Sequence, residues 1–341
     1  MNNQQPKRNS NLDVAKAIAC IGVVIMHCSF PGVAGKFAAY LFKFAVPLFF
    51  MISGYFLYKP SLSKEEKVKN LKRKIGHIFK ILVTAELLSA CFFIIKDYLS
   101  TGEYRFTLTY TDIFINCFSG TFFNGTLWFL YSLLWAYVII YLYKKITPPH
   151  LTNVNLLVLG LIIFVIHIFL RTMIKNTEFY DVRMFRNALM YGLPFILMGY
   201  GIRKSEMTAW YHKLAITNPI ICISLYILGY IVSVGEYALT HTSIDIYIGT
   251  ILSTWALFTF CVSAPIKIKN KFLLIIGEKL SLYVYIVHIF VIVIFGSLSD
   301  NSFYKWILPL IAIGMSILIS FVYYYIKSLL TSHNGLLKKN N

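Results

Sequence analysis

Ten separate stretches of apolar residues, each long enough to cross a lipid bilayer as a helix, constrain the fold of this chain more than any other feature. A hydrocarbon core about 30 Å thick needs roughly 20 helical residues. We therefore predict an all-α polytopic membrane protein of about ten transmembrane helices, forming a single domain over residues 1–341. The predicted spans cover about residues 14–30, 38–58, 78–97, 127–143, 155–171, 187–202, 215–233, 244–263, 281–297 and 305–326.

The composition supports this fold class and excludes others. Hydrophobic residues make up 58% of the chain and charged residues only 13%, about half the usual share for a soluble domain. A soluble globular enzyme, a disordered chain and a nucleic-acid-binding domain are all excluded by this balance. The six cysteines have no CxxC spacing, so we predict buried thiols rather than a disulfide framework or a metal site. The first stretch lacks a small-residue cleavage site after it and is predicted to be a retained span.

Positive charge predicts the orientation. The chain has 32 Lys and Arg against 14 Asp and Glu, a net charge of +18. The basic residues concentrate in the two tails and in alternate connections, above all in residues 59–80, so both termini are predicted to be cytoplasmic. The 59–80 stretch has two interpretations: a topology signal, or a surface that contacts anionic lipid or a phosphorylated ligand.

Ionisable groups inside the membrane are costly and therefore informative. Two of them, Lys16 and His27, lie in the first span, and Asp13 lies just before it. Lys16 and His27 are eleven residues apart, which is within about 20° of three whole turns and about 16 Å along the helix. Asp13 precedes Lys16 by three residues and is predicted to pair with it. A cation near the membrane surface suits phosphate, and a buried imidazole suits proton transfer. The alternative is a snorkelling lysine and a packed histidine.

The second and ninth spans carry further polar residues. Ser53, in Phe49-Phe50-Met-Ile-Ser53-Gly54-Tyr55, can hydrogen-bond a ligand or merely the backbone, while Gly54 allows close helix approach. In the ninth region Ser281, Tyr285 and His288 are spaced four and three apart and share one face. A second intramembrane histidine on a polar stripe is unusual for packing alone.

The remaining polar candidates are each open to a structural interpretation. Glu86 in the third span is expected to pair with Lys16 or Lys43, or to hydrogen-bond across helices. Trp128 is an interfacial anchor or the lining of a substrate entrance. His167 is predicted to be structural, and Arg183 and Arg186 lie among headgroups or clamp an anionic acceptor.

Two outer connections, about residues 98–126 and 172–186, are predicted to be sizeable loops. The first interleaves polar groups with aromatic rings, a pattern that suits carbohydrate. An aromatic belt at the membrane interface explains the same residues without any ligand.

Taken together, these segments resemble the acyltransferase 3 family of membrane acyltransferases, which includes the enterobacterial common antigen O-acetyltransferase. The family signature of a basic residue, ten residues and then His matches Lys16 and His27. Phe49 to Tyr55, Leu127-Trp128-Phe129, and Ser281-Leu-Tyr-Val-Tyr285-Ile-Val-His288 resemble three further family elements, in family order. One position departs from the pattern, because the basic residue is usually Arg, whose planar fork grips phosphate better than Lys16 does.

The resemblance implies transfer of an acetyl or other acyl group from cytoplasmic acyl-CoA, a co-substrate rather than a bound cofactor, to a hydroxyl group. The expected acceptor is a sugar of a cell-envelope or lipid-linked glycan, in a bacterial inner or plasma membrane. His27 would act as general base and Lys16 would bind acyl-CoA. The expected supporting residues are Asp13, Ser53, Glu86, Trp128, Tyr285 and His288. Transfer would be direct or would involve an extracytoplasmic partner protein.

Two alternatives remain open. One is an exporter of polysaccharide or a small solute, although no inverted repeat or pair of broken helices is evident. The other is a membrane module related to the vancomycin-resistance serine racemases, whose membrane half resembles the same family and whose racemase domain is not found within these 341 residues.

Overall fold

The structure is a computed structural model that describes residues 9–102, 110–120, 122–147, 156–175, 177, 180–208, 217–240, 246–264 and 269–337. Within those residues the regular structure is helical throughout, with thirteen α-helices and no β-strand. The helices are α1 (Ser10–His27), α2 (Gly32–Leu41), α3 (Ala45–Tyr55), α4 (Lys64–Thr101), α5 (Tyr110–Ser119), α6 (Trp128–Ile146), α7 (Leu156–Ile174), α8 (Leu193–Glu206), α9 (Pro219–Thr240), α10 (Ile248–Ser263), α11 (Lys271–Ile275), α12 (Ser281–Gly296) and α13 (Ser302–Leu337).

Seven helical segments among the described residues are long and apolar enough to cross a membrane, which makes this a helical membrane protein. They are Ser10–His27, Gly32–Tyr55, Lys64–Thr101, Gly125–Ile146, Pro219–Thr240, Lys271–Gly296 and Ser302–Thr331. The other three predicted spans coincide with α7, α8 and α10, which are helical but shorter or more charged. The count of ten spans and the cytoplasmic termini stay predictions.

The structure is more helical than predicted in the basic stretch. Much of the 59–80 connection belongs to α4, which begins at Lys64 instead of near residue 78. The reason is local: the Ser63 hydroxyl accepts a hydrogen bond from the Glu66 backbone N–H (3.2 Å), while the Glu66 carboxylate accepts one from the Ser63 N–H (2.8 Å). This capping box satisfies two backbone donors and fixes the start of the helix.

Three other boundaries also differ from prediction. The 98–126 connection contains α5, and the 172–186 connection contains the end of α7 and a 3₁₀ turn at Val182–Met184. The second predicted span is divided between α2 and α3. Pro47 lies in the first turn of α3, where the missing backbone N–H has no helical partner to lose, so the break suits the proline.

The chain forms two compact units, residues 1–48 with 214–341 and residues 49–213, and the division falls within α3. In the first unit α1 packs on α12 and on the π-helical turn Ile276–Leu280 that precedes it. In the same unit α9 and α10 approach closely at Gly229 and Gly249, where any larger side chain would collide with the facing backbone.

The second unit contains α4 to α8. Here α3 and α8 are in close backbone contact, because an added Cβ at Gly54 would collide with the Ile196 carbonyl and one at Gly199 with the Met51 carbonyl. The predicted close approach at Gly54 is therefore confirmed. The single domain predicted for residues 1–341 stays a prediction.

Candidate functional site

In the first unit α1 carries the predicted cation and imidazole. Lys16 Nζ lies 2.7 Å from Asp13 Oδ1, so the i,i+3 pair predicted from the spacing is present. The Asp13 carboxylate lies in the first helical turn, where the backbone dipole also favours a negative charge. The Lys16 side chain is 20% exposed, and His27 is exposed at the other end of the helix.

The strip of α1 between these two residues is closed by packing. Cys20 and Val23 lie on the same face as Lys16 and His27 and are each 1% exposed. The Cys20 thiol approaches the Ser281 carbonyl at 3.4 Å, which places the start of α12 over this strip. An extended molecule that reaches from Lys16 to His27 must therefore run beside the strip and not over it.

His288 is the residue that backs His27. Its ring centroid lies 5.2 Å from that of His27, and the residue is fully buried at 0% exposure. His288 Nδ1 is 2.6 Å from the Tyr285 carbonyl oxygen. Because a carbonyl only accepts, Nδ1 carries the proton and Nε2 presents a lone pair. That Nε2 is buried without a hydrogen-bond partner among the described residues.

The π-helical turn Ile276–Leu280 sets the distance between α1 and α12. At Gly277 an added Cβ would collide with the Asp13 carbonyl, so only glycine permits this approach beside the Lys16 pair. The Ser281 hydroxyl donates to the Gly277 carbonyl at 3.1 Å and closes the turn. The contribution of Gly277 was not predicted from the sequence, and its only signal is a glycine just before the Ser281 element.

Ser53 has its side-chain partner within the second unit. Its hydroxyl lies near the phenol of Tyr137 on α6. Tyr137 is almost completely buried and carries the Lys74 ammonium over its ring, 5.7 Å from the centroid. Sequence reasoning did not identify Tyr137, because only the tertiary contact distinguishes it from the other aromatic residues of α6.

Trp128 begins α6 and is mostly buried. Its ring meets that of Tyr191 edge-on, with the centroids 4.9 Å apart, and the Arg186 guanidinium lies 5.9 Å from its ring centroid. These contacts fix the indole within the second unit.

Glu86 on α4 hydrogen-bonds across helices. The Tyr131 phenol of α6 donates to Glu86 Oε1 at 3.0 Å, which realises one of the predicted alternatives. Lys16, a partner in the other alternative, is ion-paired with Asp13. Glu86 Oε2 is buried and has no hydrogen-bond partner among the described residues.

Two other sequence candidates have local structural partners. His167 Nδ1 lies 3.0 Å from the Met190 carbonyl, consistent with the predicted structural role. Arg183 forms an ion pair with Asp181 at 2.7 Å, and the side-chain hydrogen bond from Arg183 holds the pKa of the Asp181 carboxyl below its usual value. The Asp181 carboxyl is therefore ionised and the pair persists throughout the neutral range.

The same segment borders a cavity of about 610 Å³ in the second unit. Its lining is mostly apolar and includes Phe118 and Trp135, whose rings stack with centroids 5.1 Å apart. The Asp181–Arg183 pair lies at its edge.

The predicted site residues thus form two sets, one in each unit. Asp13, Lys16, His27, Tyr285 and His288 come together around α1 and α12. The second unit contains Ser53, Glu86 and Trp128, and the side chain of each lies beside a tyrosine of the same unit.

Comparison with known proteins covers almost the entire chain. A family model described as an acyltransferase domain matches residues 9–325, which contain both sets of site residues. No curated protein matches the chain. The match extends over far more than half of the sequence and agrees with the helical membrane architecture, so the chain belongs to the acyltransferase 3 family.

Proposed function

We propose that this protein is a membrane O-acyltransferase that moves an acetyl or other acyl group from cytoplasmic acyl-CoA to a hydroxyl of a cell-envelope or lipid-linked glycan. The observation that carries the proposal is the exposed His27 imidazole, whose ring packs 5.2 Å from a buried His288 held by the Tyr285 carbonyl. The family membership supplies the reaction class.

His27 acts as the general base. Its imidazole takes the proton of the acceptor hydroxyl as that oxygen forms a bond to the thioester carbonyl carbon. The carbon–sulfur bond then breaks, and the imidazolium returns the proton to the departing thiolate. The products are the acyl ester and free CoA, so atoms and charge balance. A positioned base of this kind contributes about 10²- to 10⁴-fold to the rate.

His288 positions that base. With its proton on Nδ1, the buried Nε2 lone pair of His288 accepts a hydrogen bond from a ring N–H of His27 when the ring turns toward it. The other His27 nitrogen is then left as the proton acceptor, which is the tautomer that the reaction needs. Tyr285, on the same helix as His288, is the candidate to hydrogen-bond the acyl carbonyl as it gains negative charge.

Lys16 contributes a cation near the predicted cytoplasmic end of α1. Its ion pair with Asp13 fixes the ammonium but offsets its charge, so Lys16 orients a phosphate more than it attracts one.

Mass spectrometry of surface glycans from the host organism tests the proposal. The glycans are compared among the parent strain, a strain lacking the gene, and deletion strains complemented with the wild-type, His27→Ala or His77→Ala gene. His77 is an exposed histidine on α4 and serves as the matched control. We expect an acyl-sized mass increment in the parent, the wild-type complement and the His77→Ala strain only.

Two results would contradict the proposal. Identical glycan masses with and without the gene would show that a surface glycan is not the acceptor. An acyl-sized increment that stays at the parental level in the His27→Ala strain would show that His27 is not the general base. Solute flux through the purified protein without any dependence on acyl-CoA would instead favour the exporter.

A further inference from the structure

Four lysines of the second unit converge on one small depression. Lys59 precedes α4, Lys67 and Lys74 lie on α4, and Lys144 lies near the end of α6. Lys67 and Lys74 are seven residues apart, within about 20° of two whole helical turns, so they share a face. All four are half-buried, whereas Lys69, Lys72, Arg73 and Lys145 nearby in sequence are exposed.

No carboxylate among the described residues neutralises the charge of this lysine cluster. The described residues that line the depression include no Asp or Glu. None of the four lysines forms an ion pair with a carboxylate in the part of the chain that the structure describes. Lys59 acts electrostatically on Lys74, and Lys67 on Lys144, so like charges are held within range of one another. A bound anion relieves that repulsion.

Aromatic faces hold two of the ammonium groups in place. Lys74 Nζ lies 5.7 Å from the Tyr137 ring centroid, and Lys144 Nζ lies 5.4 Å from that of Tyr200. A ring face attracts a cation without cancelling its charge, so the ammonium groups are positioned and still available. Lysine ammonium groups are common phosphate ligands in proteins.

We infer that Lys59, Lys67, Lys74 and Lys144 form a phosphate-binding site that takes a phosphoryl group of the acyl donor, coenzyme A. This inference rests on the proposed function and assigns to it a donor contact separate from Lys16. The depression has an inner volume of about 20 Å³, little more than one water molecule needs, so a single phosphoryl oxygen enters it and the remainder of the molecule lies outside.

A structural path links this lysine cluster to the family motif of the second span. Lys74 lies over Tyr137, and Tyr137 lies near Ser53. Within the second unit, a phosphate at the lysines therefore lies near the Ser53 element of the family motif. The chemistry of the site also fits the phosphate of an anionic lipid headgroup, and the experiment must separate the two sources.

Coenzyme A titration of the full-length protein in nanodiscs makes that separation. In discs of neutral phosphatidylcholine we expect Lys67→Ala/Lys74→Ala to weaken CoA binding roughly tenfold or more, because each charge-assisted hydrogen bond to phosphate is strong. The matched control Lys69→Ala/Lys72→Ala removes the same charge from exposed positions of the same helix and should change the dissociation constant less than twofold. The difference should shrink at high salt.

Two further variants keep the result interpretable. Lys67→Arg/Lys74→Arg retains both charges and should keep most of the affinity, which excludes a folding defect as the cause. Gly314→Ala, altered in the other unit at a position where an added Cβ meets nothing within 4 Å, should bind CoA like the wild type.

Several outcomes overturn the inference. Equal CoA affinity in the Lys67→Ala/Lys74→Ala and Lys69→Ala/Lys72→Ala variants removes the phosphate site. Unchanged CoA affinity with loss of bound phosphatidylglycerol from mixed discs assigns the lysines to lipid. If the wild-type protein binds no CoA at all, the proposed acyl donor is wrong. If it binds CoA independently of the lysines, only the phosphate site is wrong.

Discussion

Two cationic regions of this protein hold their charge in different ways. On α1 a single ammonium, that of Lys16, lies 2.7 Å from the Asp13 carboxylate. In the second unit the four lysines of the lysine cluster face one depression, and its described lining offers no carboxylate. In the first region the ion pair fixes the ammonium and leaves little net charge. In the second region the four ammonium groups repel one another, which suits the binding of an anion. The comparison teaches that a cation held by a carboxylate and cations held against aromatic rings differ in the charge they leave for an anion.

Gly277→Ala should have the largest effect on the first region. The added Cβ would collide with the Asp13 carbonyl, so the π-helical turn must move away from α1 and carry His288 with it. A misplacement near 1 Å at a catalytic centre costs about 100-fold in rate. Turnover at saturating acyl-CoA is the measurement, and CoA affinity at the lysine cluster should change little.

Gly314→Ala is the control for that change, because an added Cβ there meets nothing within 4 Å. It should leave turnover unchanged. Equal turnover in the two glycine variants would contradict the role assigned to the turn.

His288→Leu should have the next largest effect, about tenfold on kcat, through loss of the group that orients His27. A single lost hydrogen bond near the reacting centre is of this order. His288→Gln keeps an amide donor for the Tyr285 carbonyl and an acceptor for His27, and should recover most of the activity. If leucine and glutamine variants lose kcat equally while both remain folded by thermal unfolding, His288 does not position His27.

Asp13→Asn should change the affinity for coenzyme A by only a few fold. Removing the carboxylate leaves the Lys16 ammonium unopposed, and partly exposed ion pairs contribute about 0–1 kcal/mol. Coenzyme A affinity should therefore rise by up to about fivefold, as measured by titration at low salt. A fall in affinity would mean that the pair holds Lys16 in its binding position.

Lys16→Arg should have the smallest effect. Arginine keeps the charge and adds the planar fork that binds phosphate with two parallel hydrogen bonds. Titration with an acyl-CoA analogue should give an affinity equal to or slightly above that of the wild type. A loss of affinity beyond about threefold would show that the departure from the family residue is itself required here.

The helical parts of this account could be predicted from the sequence. A period of 3.6 residues places Lys16 and His27 on one face and Ser281, Tyr285 and His288 on another, and the structure brings the two histidines together. The longer α4 was also predictable in principle, since Ser63 and Glu66 have the spacing of a capping box.

The tertiary relations could not be predicted in the same way. Periodicity does not predict that α12 covers Cys20 and Val23. It also does not predict that Tyr137 lies between Ser53 and Lys74. A π-helical turn has no clear sequence pattern, so the close approach at Gly277 was missed. Lys144 joins the lysine cluster from α6, which packs on α4 but is distant from it in sequence. Only the fold shows that Lys144 lies in the cluster and that the neighbouring Lys145 is exposed.

The most direct test of the central claim is the turnover of purified His27→Ala at saturating acyl-CoA, with His77→Ala as control and a sugar hydroxyl as acceptor. Loss of the general base should lower kcat by about 10²- to 10⁴-fold, with CoA affinity and thermal unfolding unchanged. The His77→Ala protein should turn over like the wild type. If the His27→Ala protein keeps wild-type kcat, His27 is not the base and the account of the α1 region is wrong.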